Sequence, residues 1–144
     1  AVPDVYQTTL SLELSGKEIK ESMTCAEGRF EVMAFGRVEV MFIREPSIGE
    51  GILTDEKGRT FHLYKDELVF TRVQNSSDVD LLPFIEEIGS YGVSSVGLDL
   101  RNRSPELVGA VGEMCLNPNQ ENHDRLFDLC GRRTMQSMWL RGIR

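Results

Sequence analysis

A four-residue stretch, Ser15-Gly16-Lys17-Glu18, constrains this chain more than any other. It has the form of a capping box: the serine oxygen takes a free N–H of a helix's first turn, and the glutamate three residues on reaches back to the cap. Before it, residues 8–14 alternate Leu10, Leu12 and Leu14 on one face, as a strand does. After it, residues 30–35 form a second apolar run. A helix from the cap to about residue 23, with Gly28 in the turn beyond, makes the whole a β-α-β unit. Such a unit calls for a parallel strand pair with the helix packed outside it.

The remaining signals extend this plan and interrupt it once. Gly36-Arg37 breaks the second run before residues 38–43, whose apolar content predicts burial on both faces in the same parallel sheet. Glu45-Pro46-Ser47-Ile48-Gly49-Glu50-Gly51 is a loop. Residues 52–54 and 60–64 flank the turn Asp55-Glu56-Lys57-Gly58 and read as a hairpin, to which residues 68–73 add a strand. Asn75-Ser76-Ser77-Asp78 is expected to open a helix with Leu81, Phe84, Ile85 and Ile88 on its apolar face. A strand over 93–100 should follow Gly92, and Ser104-Pro105-Glu106 starts a helix to about residue 115. A last helix is expected over 121–129, capped by Gly131, and the tail from residue 134 carries no decisive signal. The expected fold is one α/β domain over residues 1–144. It is a partial (β/α) barrel-like parallel sheet with an antiparallel β-hairpin region inserted over residues 45–74. A closed (β/α)₈ barrel needs about 250 residues, so a sheet built from this chain should leave edges to be covered, by a second copy in a homodimer or by the fold itself.

Charge narrows the function classes. The chain has 144 residues and a formal net charge of −7, so no overall positive field draws it to nucleic acid or anionic lipid. Arg101 with Arg103 is the one local hint of anion binding. No apolar run approaches the roughly 20 residues of a membrane span. The first residues lack the basic and apolar regions of a secretory signal, and the three cysteines, Cys25, Cys115 and Cys130, form no Cys-x-x-Cys. The expectation is a cytoplasmic chain with free thiols, no membrane partner, and neither cofactor nor metal.

Chemistry-bearing residues are few. The chain has no nucleophile elbow, no His-Glu-x-x-His, no phosphate-binding loop and no dinucleotide fingerprint. His62, between Phe61 and Leu63, and His123, near a helix start, read as surface or satisfied core residues. Cys115 and Cys130 read as small core hydrophobes. The catalytic residues are unknown from sequence, with Asp99, Arg101, Glu13 and Arg44 as candidates. All four fall near the ends of expected strands, where α/β folds bind ligands. For Asp99 two readings stand side by side: a ligand-facing carboxylate, or an ion pair with a nearby arginine that fixes the strand end.

Several stretches together resemble the collagenase-like peptidases, peptidase family U-thirty-two, a family of unassigned catalytic type. Residues 9–19 are similar to the strand and capped helix before that family's core signature. Glu31-Val32-Met33-Ala34-Phe35-Gly36 resembles the signature itself, a Glu-Val-apolar-x-x-Gly pattern. Leu53-Thr54-Asp55-Glu56-Lys57-Gly58-Arg59-Thr60-Phe61 is similar to its Leu-x-Asp-x-x-Gly-x-x-Phe hairpin. Asn75-Ser76, Gly92-Val93 and Leu98-Asp99-Leu100-Arg101 follow its Asn-Ser, Gly-Val and Asp-x-Arg passage, and Arg141-Gly142-Ile143 its closing Arg-Gly-Val. The resemblance implies the C-terminal half of a peptidase domain, with an N-terminal barrel half as partner and a peptide substrate. It also implies a second course, a non-catalytic binding or assembly module of a relative that hydroxylates RNA or quinone precursors, with RNA as the substrate to test. Some members hold a four-iron cluster on four cysteines. This chain has Val38-Glu39-Val40 and Glu45 where the family often places cysteine, and Gln136-Ser137 in place of its Gly-His.

Overall fold

The computed structural model describes residues 5–45, 47–66 and 70–141. The described chain packs as two units, one of Ala1–Gly36 with Val79–Arg144, the other of Arg37–Asp78. It is mixed α/β, and among the described residues no sheet closes into a barrel.

The first unit holds the β-α-β word as expected at its centre and altered at its start. Strand β1 is Thr8–Thr9, helix α1 is Gly16–Met23 and strand β2 is Phe30–Gly36. Ser15 and Glu18 form the full capping box. The predicted strand over 8–14 stops early. Leu10 still donates to the Glu31 carbonyl, but Leu14 N–H then turns back to Ser11 and the Glu13 N–H bonds the Ser11 hydroxyl. That turn lets Ser15 reach its capping position, so local hydrogen bonds override the leucine alternation.

Strand β2 is the axis of this unit's sheet. β8, Ser95–Leu98, runs parallel along one of its edges. β1 runs parallel to the first residues of β2, and β7, Asp78–Asp80, antiparallel to its last, pairing Phe35 with Asp80 and Gly36 with Val79. A register shift between Met33 and Phe35 turns the later carbonyls, so β1 and β7 share the other edge at different heights. β9, Thr134–Met135, lies beyond β7. The helix expected from Asn75 is thus corrected. The chain first pairs as β7, then makes a 3-10 turn over Leu82–Phe84 with Pro83 in its first turn, and only then forms α2, Ile85–Ser90.

Helices α3, Pro105–Leu116, and α4, Gln120–Leu129, follow β8 and are capped by the side chains of Ser104 and Asn119. They bury Leu107, Ala110, Val111, Met114 and Leu126 in a core with Val32, Ala34, Phe35, Leu82 and Ile88. A short α5, Ser137–Arg141, sets Trp139 against Phe84 and Tyr91, with stacked rings at 5.8 and 6.2 Å.

The second unit is a four-stranded antiparallel sheet in the order β3-β6-β5-β4. Its strands are Glu39–Ile43, Gly51–Thr54, Thr60–Lys65 and Thr71–Gln74, numbered β3 to β6 along the chain. The hairpin prediction holds, with Ile52 opposite His62 and Thr54 opposite Thr60. Strand β3 corrects the expectation of a buried parallel strand: among the described residues it pairs with β6 alone, antiparallel, and Val40, Met41 and Phe42 are exposed. The strand predicted over 68–73 is observed as β6 and lies inside the sheet between β3 and β5; Leu68 and Val69 fall outside the described residues.

Candidate functional site

The polar groups of the first unit gather where β2 and β8 end. Gly36 closes β2 at φ +134°, a conformation that side chains rarely adopt. A Cβ built there would lie 2.7 Å from both the Cβ and the carbonyl oxygen of Asp99. Asp99 in turn donates its N–H to the Phe35 carbonyl at 2.8 Å. The glycine therefore exists so that the two strand ends can close on one another. Residues 31–36 and 98–101, two of the stretches on which the family resemblance rests, are brought side by side here.

Asp99 binds Arg101. Its Oδ1 accepts from the Arg101 backbone N–H at 3.2 Å and from Nε at 2.9 Å, and its Oδ2 from Nη2 at 2.6 Å. The carboxylate is 14% exposed and the guanidinium side 64%. These hydrogen bonds hold the Asp99 carboxyl below the usual carboxylate range against the opposing effect of burial. Of the two sequence readings, the ion pair that fixes the strand end is present. The other two candidates lie on other elements. Glu13 is exposed in the turn after β1. Arg44 belongs to the second unit, exposed after β3, with its guanidinium 6.0 Å from the Phe42 ring centre.

A second pair was not foreseen. Asp80, in β7 and fully buried, has Oδ1 accepting from the Leu82 N–H at 3.3 Å and Oδ2 at 3.0 Å from Nε2 of His123 on α4. The His123 side chain is 21% exposed, and its ring stacks on Phe127 with centres 6.2 Å apart. Among the described residues, Nδ1 has no hydrogen-bond partner. A buried carboxylate needs such donors, and an imidazole so held is also the base-and-orienter half of a hydrolytic site. The sequence signal was faint: Asp80 falls inside the helix expected to open at Asn75-Ser76-Ser77-Asp78, and its partner lies 43 residues away.

Among the described residues no cluster of three or more His, Cys, Asp or Glu could hold a metal ion. Cys25 is exposed, while Cys115 and Cys130 are half-buried. Burial pushes the Cys115 thiol up, away from the reactive thiolate. His62 is half-buried on β5 of the second unit. No described helix is long and apolar enough to cross a membrane. No family model matches the chain, no curated protein matches it, and no solved structure matches its fold.

Proposed function

We propose that this chain is the C-terminal part of a collagenase-like peptidase, and that it contributes the Asp99–Arg101 pair to one side of a site completed by an N-terminal barrel half. One observation carries the reading. Two stretches on which the resemblance rests lie far apart in sequence, yet Asp99 of the second donates its N–H to the Phe35 carbonyl of the first at 2.8 Å, and a Cβ on Gly36 would meet Asp99 at 2.7 Å. They meet at the C-terminal ends of parallel strands, where α/β sheets place their ligands. Strand β8 pairs only with β2 among the described residues, which leaves an edge for a further strand. The test is cleavage of denatured collagen and of casein by a purified longer version that carries the N-terminal half, beside the chain alone. The longer protein should cleave and the chain alone should not; a longer protein that cleaves neither removes the peptidase reading.

A second reading draws on the same pair. Asp99 and Arg101 neutralise each other, as in a module that serves assembly or binding rather than catalysis. A mobility-shift titration with transfer RNA at low and moderate salt separates the two; absence of binding at low salt removes the nucleic-acid form of this reading.

A further inference from the structure

We propose that His123, oriented by Asp80, is a general base for hydrolysis, supplied by this chain from outside the Asp99–Arg101 pair. The inference rests on the hydrolase reading above for its reaction class, and on the geometry of the first unit for its residues. The buried Asp80 Oδ2 lies 3.0 Å from Nε2. A carboxylate at that nitrogen fixes the tautomer with the proton on Nε2 and leaves the lone pair on Nδ1. Asp80 itself is pinned by the Leu82 N–H, and the ring by its stack on Phe127. The imidazole is thus held in one tautomer and one orientation while part of it remains open to solvent.

The chemistry balances with water as the nucleophile. Nδ1 takes a proton as the water oxygen bonds to the acyl carbon. The imidazolium returns that proton to the leaving amine or alcohol as the acyl bond breaks. Asp80 is a positioning residue, because it acts on the reaction through the imidazole and not on the reacting atoms.

The experiment uses the chain itself with p-nitrophenyl acetate as probe, so that it does not depend on the natural substrate. His123→Gln retains an amide N–H for Asp80 and should lower the hydrolysis rate at least fivefold with the thermal melt preserved. His62→Gln should leave the rate within twofold. Asp80→Asn should lower the rate while His123 still reacts with diethyl pyrocarbonate. If His123→Gln hydrolyses the ester within twofold of the wild type, the base assignment is overturned and His123 is only a partner for a buried carboxylate. Should that variant fail to fold, wild-type labelling decides: His123 must be carbethoxylated as readily as free imidazole, and a protected ring overturns the proposal. A longer protein that cleaves no peptide while the ester result stands would sink the peptidase reading alone.

Discussion

At the scale of single residues, Gly36 carries the most consequence. Its positive φ, and the 2.7 Å at which a Cβ there would meet Asp99, penalise any side chain twice, by backbone strain and by contact with another backbone. Gly36→Ala should cost about 2–3 kcal/mol of stability in a urea melt; a change within experimental scatter would mean that the strand ends separate freely. Asp99 gives a pH signature. Its carboxyl is held below its ordinary value in the fold, mainly by Arg101. The stability this contributes is fully present above the unfolded value of about 4 and is lost as pH falls through the lower folded value. The loss on Arg101→Ala should be about 0.5–1 kcal/mol at neutral pH, as expected for a pair with an exposed arginine, and should shrink steadily as pH falls below about 4. A loss that stays constant down to acid unfolding would show that Arg101 acts through packing.

At the scale of elements, what could be read from sequence was what is encoded locally. Ser15 with Glu18, Ser104 with Pro105, and the Asp55–Gly58 turn each satisfy neighbouring backbone groups, and each marks an element the structure contains. Elements defined by distant partners were missed. β7 is a strand because Gly36 and Phe35 on one side and β9 on the other offer it partners, and β3 pairs with β6 instead of joining the parallel strands. The candidate site divides the same way. Asp99 with Arg101 is legible at a spacing of two, whereas Asp80 with His123 depends on how α4 packs. Helix α5 had no local signal at all. What holds it is Trp139, whose ring lies 2.7 Å from a Cβ built on Gly16 at the start of α1. Trp139→Ala should cost about 3–4 kcal/mol. Gly16→Ala should destabilise the wild type but be neutral or stabilising in the Trp139→Ala background, where only its helix propensity remains. Additive losses in the double mutant would show that α5 does not pack on α1.

At the scale of the molecule, the chain leaves the first unit after Gly36 and returns at Val79, residues that face each other in an antiparallel pair. An excursion that begins and ends on paired strands can be replaced by a hairpin turn. Substituting Asn-Gly for residues 37–78 should leave a cooperatively melting first unit with its helical signal intact; a molten product would mean that the two units fold only together. The peptidase account itself makes a sharper demand, since it assigns the strand-end pair to a reacting surface. New amino termini should be counted by mass spectrometry after denatured collagen is incubated with the longer protein, once as wild type and once as Asp99→Asn. The account predicts abundant new termini from the wild type and at least a tenfold drop in the variant with its melt retained. A wild-type count no higher than that of a buffer control, or an equal count from the variant, would contradict it.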